Sequence, residues 1–264
     1  MFATTMNVRL QRITRRAGIA IFPILCFLFF TTNASAQSIV FDVDSFDKII
    51  VSPHIEVIFK EGTNESVSIT SNTEPMEKLN IVVENTTLHI YLEDARIVTG
   101  SKKEERNGYK RKVDLYKGTV VRAVITYKNI NSLDLRGEEN FTFENTLKAN
   151  KLKMSIYGES QVYMNDVAIK NLQVSLYGES FLEITKGSVD TQKITAYGES
   201  KVNTANVLNK ETKLTAYGDG TFQFNVSEKL KVTSYGEATI IYSGNADLNK
   251  GLIIGETKIT KVSF

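Results

Sequence analysis

The sequence predicts an all-β protein, a parallel β-solenoid (single-stranded and β-helix-like) of stacked rungs of about 20 residues that follows a signal peptide. Three observations support this prediction: an N-terminal export signal, a glycine-centred motif that recurs at nearly constant spacing, and strict alternation of apolar and polar residues around each copy. Alternation with a period of two is typical of strands with one buried face, and no helical period competes with it.

The first 36 residues have the three parts of a secretory signal. An arginine-rich start precedes an apolar run from Ala17 to Phe30, and Ala34-Ser35-Ala36 forms the cleavage pattern. This apolar run is shorter than the ~20 residues that cross a bilayer, which favours cleavage over a retained anchor. We therefore expect a mature chain of residues 37–264 that forms a single solenoid domain.

The composition of the mature chain excludes several classes of function. Removing the signal with its four arginines lowers the formal net charge from +2 to −2, which argues against a nucleic-acid partner. The one cysteine, Cys26, lies in the signal, so disulfides, thiolate metal sites and a cysteine nucleophile are excluded. No further apolar run is long enough to form a transmembrane segment.

The repeat is visible as three identical copies of Tyr-Gly-Glu-Ser, at residues 157–160, 177–180 and 197–200. Variants of the motif extend the series in both directions along the chain. The seven glycines are Gly137, Gly158, Gly178, Gly198, Gly218, Gly236 and Gly255. A period near 20 residues indicates that each copy is one unit that buries its apolar face only against its neighbours.

Positions counted from each glycine alternate in character. Even offsets carry apolar or small residues, such as Met154 and Ile156 before Gly158 and Val162 and Met164 after it. This parity predicts that the even offsets face the core. Because the glycine itself is at an even offset, we expect it to point inward at an inside corner where the chain bends.

Odd offsets are then predicted to form columns on the outside of the solenoid. Offset minus one gives a tyrosine column, and offset plus one gives an acidic column that recurs in seven rungs. The candidate binding residues are Tyr157, Glu159, Tyr177, Glu179, Tyr197, Glu199, Tyr217, Asp219, Tyr235 and Glu237. Stacked aromatics and solvated carboxylates are explained by structure alone, and exposed tyrosines beside carboxylates also suit the rings and hydroxyls of a glycan.

The first half of the mature chain reads as further strands, because residues 38–94 alternate in the same way and alternation resumes at Val120. Between them, residues 96–118 contain many lysines and arginines and few apolar residues. We interpret this stretch as a basic surface loop. A solvated loop is favoured there over a basic binding finger.

Five segments together resemble the putative auto-transporter adhesin head GIN domain proteins of Gram-negative bacteria. They are residues 46–51 (FDKIIV), residues 54–62 (HIEVIFKEG), residues 87–90 (TLHI), the stretch from Val124 to Gly137, and the glycine-centred repeats. The resemblance implies a β-solenoid at the cell envelope with no catalytic residues to carry over. Two departures are Arg136, where a small residue is usual, and the apparent insertion at 96–118.

No catalytic, nucleotide-binding or metal-binding motif is present in the sequence. His54 and His89 are the two histidines, and we interpret both as surface residues. No cofactor is predicted. We expect a non-enzymatic, exported interaction or adhesion module whose partner is an envelope glycan or a surface protein. The alternative is a carbohydrate-active β-helix enzyme, a polysaccharide hydrolase or lyase that uses the acidic column.

Overall fold

The computed structural model describes residues 38–106 and 108–263, and the predicted signal peptide with its cleavage site lies outside the described residues. In the described part the regular structure is almost entirely strand, with one short 3₁₀ helix at Met76–Lys78. The first ten strands are β1 Ile39–Asp42, β2 Lys48–Val51, β3 Ile55–Glu61, β4 Ser66–Asn72, β5 Leu79–Glu84, β6 Thr87–Leu92, β7 Ser101–Arg106, β8 Tyr109–Asp114, β9 Val121–Tyr127 and β10 Ser132–Gly137. The remaining strands are β11 Asn140–Gly158, β12 Gln161–Gly178, β13 Phe181–Ile184, β14 Gly187–Tyr197, β15 Lys201–Tyr217, β16 Gly220–Tyr235, β17 Ala238–Ser243, β18 Asp247–Ile254 and β19 Lys258–Lys261.

The glycine-centred repeats stack as a parallel β-solenoid, which confirms the predicted fold. Strands β10 to β19 pair in parallel with the equivalent strands of the next rung. The register sets each motif directly against the next, so that Tyr157 is opposite Tyr177, and Tyr177 is opposite Tyr197. Residues at the same offset in successive copies of the repeat are therefore neighbours in adjacent rungs.

The N-terminal strands continue this stack and then close it. Strand β2 pairs in parallel with β10 and β6, and β3 pairs in parallel with β11 and β9. Antiparallel strands follow: β4 pairs with β9 and β1, and β5 pairs with β6. This antiparallel end satisfies backbone groups that an open parallel rung would leave free.

The core is a continuous column of side chains from the even offsets, as the alternation predicts. Met154, Ile156, Val162 and Met164 are all fully buried. Where β3 meets β11, the ring of Phe59 lies flat against that of Phe143, with 4.3 Å between ring centroids. One cluster of buried apolar side chains extends from Phe46 to Ala246, so the N-terminal strands and the repeats share one core.

The glycines do not point inward, and this prediction is wrong. Gly158, Gly178 and Gly198 are exposed, whereas the serine two residues after each of them is completely buried. Gly178 has a φ of +103°, a conformation that L-residues with a side chain rarely adopt. A Cβ at Gly178 would lie 2.7 Å from the carbonyl oxygen of Gly158 in the adjacent rung. Backbone geometry and rung stacking, rather than space at an inside corner, require glycine here.

The segment predicted as a basic loop contains a β-hairpin. Strands β7 and β8 pair antiparallel and form a separate two-stranded sheet. The sequence between them contains Asn107-Gly108, a dipeptide favoured in tight hairpin turns. Glu104 and Glu105 of β7 are opposite Arg111 and Lys110 of β8, and Glu104 also forms a 3.1 Å ion pair with Lys102 of its own strand, which offsets part of the positive charge. Cross-strand pairing thus orders a segment that has too few apolar residues to show a strand pattern.

Candidate functional site

The tyrosine column forms a ladder of stacked rings on the outside of the solenoid. Successive ring centroids are 4.8, 5.1, 4.9 and 4.9 Å apart, and the planes of neighbouring rings are within 7° of parallel. The five rings belong to Tyr157, Tyr177, Tyr197, Tyr217 and Tyr235. Parallel in-register pairing produces this spacing, because it holds equivalent residues one strand separation apart.

Different groups cover the two ends of the ladder. The guanidinium of Arg136 lies over the ring of Tyr157, 5.6 Å from its centroid, and contributes a cation–π contact. At the other end, Ile254 is opposite Tyr235 in the register. Each middle ring therefore has its two faces covered by neighbouring rings. Solvent reaches mainly the ring edges and hydroxyl groups of the middle tyrosines.

The acidic column lines a groove that runs across five rungs. Its walls come mainly from offsets plus one and plus three, and its volume is about 710 Å³. The carboxylates are those of Glu159, Glu179, Glu199, Asp219 and Glu237, and the opposite wall includes Gln161, Tyr163, Phe181, Lys201, Thr221 and Thr239. Adjacent rungs also meet within the groove where the backbone amide of Glu237 donates a hydrogen bond to the Asp219 carboxylate. This groove combines hydrogen-bond acceptors with aromatic surface.

The candidate residues do not form one continuous surface. Each of the full-length repeat strands β11 and β12 ends at its glycine, and the next strand begins three residues later, beyond the corner. The ladder tyrosines belong to the strand before the corner, and none of them lines the acidic groove. At the first full corner, however, Tyr157 and Glu159 both line a second, smaller cleft.

The sequence prediction missed the wall opposite the acidic column, which is formed by the plus-three column and by Tyr163 at offset plus five. Phe181 and Tyr163 lie in the groove with their rings tilted at 60° and their centroids 5.6 Å apart. These positions vary in residue type from rung to rung, so they form no visible motif. Their odd offset was nevertheless a usable signal, because it places them on the same outward face of the strand as residues beside the acidic column.

The two histidines are not simple surface residues. His54 adopts a φ of +71°, and both of its ring nitrogens have hydrogen-bond partners. His89 is half-buried, and its Nε2 lies 3.0 Å from the hydroxyl of Ser52. Burial and the nearby positive charge of Arg96 lower the pKa of His89 to about 4. Both imidazoles therefore act as fixed hydrogen-bonding groups within the N-terminal strands.

Within residues 38–106 and 108–263, no group of three histidine, cysteine or acidic side chains has an arrangement that holds a metal ion. The same part of the chain contains no helix that is long and apolar enough to span a membrane.

Comparison with known proteins links this geometry to one family. The family model described as "Putative auto-transporter adhesin, head GIN domain" matches residues 45–246. A comparison with curated proteins finds no match.

Several crystal structures have the same fold. A putative adhesin from Bacteroides fragilis superposes with a TM-score of 0.71 at 17% identity, covering 86% of this chain and 96% of its own. A putative lipid binding protein from Parabacteroides distasonis gives a TM-score of 0.62 at 18% identity, covering 87% and 98%. A putative adhesin from Parabacteroides merdae gives 0.55 at 16% identity, covering 87% and 97%. At such identities the likeness establishes the fold alone.

Proposed function

Because the chain belongs to the putative auto-transporter adhesin head GIN domain family, we propose that it is an exported, non-enzymatic adhesion module that binds an extended glycan in the acidic groove. The observation that carries this proposal is the groove itself, which repeats the same acceptor groups over five rungs. A repeated surface suits a repeating polymer, because each added sugar meets another copy of the same contact.

The chemistry of the groove favours a neutral glycan. Carboxylates accept hydrogen bonds from sugar hydroxyls, and such charge-assisted bonds are stronger than neutral ones. The rings of Phe181 and Tyr163 offer an apolar surface for the face of a pyranose. An acidic polysaccharide would be repelled, since Lys201 is the one basic side chain among the residues that line the groove.

The enzymatic alternative is less well supported. Glycoside hydrolysis needs one pair of carboxyl groups in different environments, so that one is protonated while the other is charged. The acidic column instead presents equivalent carboxylates in successive rungs. In addition, the descriptions of the family and of the three superposed structures name adhesins and a lipid-binding protein rather than enzymes.

Export is part of this proposal and rests on the N-terminal sequence. We expect the signal peptidase to cut after Ala36, because Ala34 and Ala36 have the small side chains that the cleavage site requires. N-terminal sequencing of the protein recovered from the periplasm, cell surface or medium identifies the cleavage site. A recovered chain that still begins with the arginine-rich segment would contradict export with cleavage.

The binding face is tested by removing its side chains one rung at a time. We expect Glu159→Gln, Glu179→Gln and Glu199→Gln to weaken binding of a neutral polysaccharide cumulatively. Glutamine can still accept a hydrogen bond, but a bond to a neutral group contributes about 1 kcal/mol less than a bond to a charged group, which corresponds to roughly a 5-fold loss of affinity per rung. Affinity is measured against an immobilised panel of neutral and acidic polysaccharides.

Two companion variants make this experiment decisive. Glu144→Gln, Glu211→Gln and Glu228→Gln together remove the same charge outside the groove and should leave binding unchanged. Replacing Tyr157, Tyr177 and Tyr197 with serine tests the ladder separately from the groove. Unchanged affinity after all three groove substitutions would exclude the groove as the binding site, and loss of affinity at a single rung alone would favour an enzyme-like site.

A further inference from the structure

A second cleft of about 480 Å³ lies at the first glycine corner of the solenoid, apart from most of the acidic groove. It is formed by chain segments that are distant in sequence: the turn at Pro53 and His54, the segment Ile97 to Thr99, Gly118, and the corner at Arg136 to Glu139. Its size falls in the range of small-molecule sites, which are mainly apolar clefts with a few convergent polar groups.

One side of the cleft is an exposed apolar lip. Ile97 and Val98 are 65% and 74% exposed, and they are adjacent in the chain between β6 and β7. The apolar surface continues into the cleft with Pro53 and the ring of Tyr157. Two large aliphatic side chains held in solvent beside a cavity favour contact with an apolar ligand.

The opposite side contains a buried carboxylate at a position where later rungs carry a serine. Glu139 is only 4% exposed and lies two residues after Gly137, at the position that Ser160, Ser180 and Ser200 occupy in later rungs. Each of those serine hydroxyls donates a hydrogen bond to the carbonyl of the glycine in the preceding rung. A serine suffices at those three corners, whereas the glutamate at the first corner brings the cost of burying a charge.

Glu139 has hydrogen-bond donors but, among the described residues, no salt-bridge partner. Its carboxylate accepts from the backbone amides of Glu138 and His54, and burial raises its pKa. Glu138 and Glu159 also line the cleft, and among the described residues none of these three carboxylates forms a salt bridge. The cleft thus concentrates negative charge next to apolar surface.

The basic groups in the wall of the cleft are already engaged. Arg136 donates two hydrogen bonds to Asp134, at 2.7 and 3.2 Å. The Nδ1 of His54 lies 2.7 Å from the carbonyl of Gly118, which can only accept, so this nitrogen carries the proton. Nε2 lies 2.6 Å from the hydroxyl of Thr99, so this nitrogen also has a hydrogen-bond partner. Both groups therefore already have partners, and within the described part of the chain the ion pair of Arg136 is with Asp134 rather than with a carboxylate of the cleft.

We propose that this cleft binds a small amphipathic amine, with its ammonium group against the carboxylates of Glu138 and Glu139 and its alkyl chain against Ile97 and Val98. The ammonium supplies the missing counter-charge and donates the hydrogen bonds that the carboxylates can still accept. The alkyl chain covers the exposed lip and removes its apolar surface from water.

The proposal is tested with n-octylamine, and with n-octanol and octanoate as probes of the same length that are neutral and anionic. Binding is followed by calorimetry and by NMR shifts of the backbone amides. We expect octylamine to bind with shifts centred on residues 97–99, Gly118 and residues 137–139. Octanol should bind at least tenfold more weakly, and octanoate should not bind. Equal binding of octylamine and octanol, or shifts confined to another region, would overturn the proposal.

Two variants separate the charge from the apolar lip. Glu139→Ser installs the residue found at three equivalent corners and should weaken octylamine binding at least tenfold while the protein remains folded. Val98→Ser changes an exposed side chain and should also weaken binding without lowering the melting temperature. Glu199→Gln removes a carboxylate of the groove and should leave octylamine affinity unchanged. Unaltered affinity in both cleft variants would contradict the proposal, and this result is independent of whether the groove binds glycans.

Discussion

Gly178→Val should destabilise the protein by several kcal/mol, much more than the adjacent substitution Glu179→Gln. A β-branched residue at a φ of +103° is strained, and such backbone conformations cost about 1–3 kcal/mol. Its Cβ would also meet the backbone carbonyl of Gly158 at 2.7 Å, and overpacking of this kind costs about 1–3 kcal/mol more. Glu179 is exposed, and surface changes usually stay within about 0.5 kcal/mol. Urea denaturation measures the free energy of unfolding of both variants and of the unaltered protein.

A third variant separates strain from steric overlap. Gly118 also has a positive φ, of +57°, but a Cβ there would have no heavy atom within 4 Å. Gly118→Val should therefore show the strain cost alone and fall between the other two variants. If Gly178→Val were no more destabilising than Gly118→Val, the contact with the adjacent rung would not constrain the corner, and the close stacking of the glycines would have no energetic role.

Phe143→Ala should cost about 3–5 kcal/mol, because truncating a fully buried aromatic side chain removes its contacts and leaves a cavity. The position is also structurally central. Phe143 is opposite Phe59 in the register of β11 and β3, and their rings stack with an interplanar angle of 10°. The substitution therefore weakens the seam that joins the N-terminal strands to the repeats. The free energy of unfolding, again from denaturant titration, is the quantity to compare.

Phe181→Ala is the matched control, since it removes the same side chain from a half-exposed position in the groove. We expect a much smaller loss of stability, because water already reaches part of this ring. Hydrogen exchange adds a spatial readout: Phe143→Ala should increase exchange in both β3 and β11. Similar losses for the two phenylalanines would mean that the seam between the strands contributes little to stability.

Much of the fold could be predicted from the sequence because its pattern is local and repeated. Alternation depends only on the two faces of a strand, so Met154 and Ile156 could be assigned to the core without knowing their partners. The constant spacing then predicts the register, because stacking the repeats places Tyr157 opposite Tyr177. The family resemblance, drawn from five short segments, agrees with the match over residues 45–246.

The orientation of the glycines could not be predicted in the same way. Parity gives the face of a residue only while the chain remains extended, and the positive φ at Gly178 breaks the alternation at that residue. The hairpin of β7 and β8 was missed for a different reason. Its strands are solvated on both faces, so they have no apolar period, and only cross-strand hydrogen bonds define them.

The sequence by itself determined the rung repeat, the buried face and the outward columns of tyrosine and acid, since each follows from neighbours within one strand and from a fixed period. Only the tertiary structure decided which columns share a groove and which residues share the first corner. His54, Val98 and Glu139 meet in one cleft although 85 residues separate the first from the last. The physical reason is that this cleft is formed by turns and connecting segments that the stacking of the strands brings together, and such non-local contacts produce no periodic pattern along the chain.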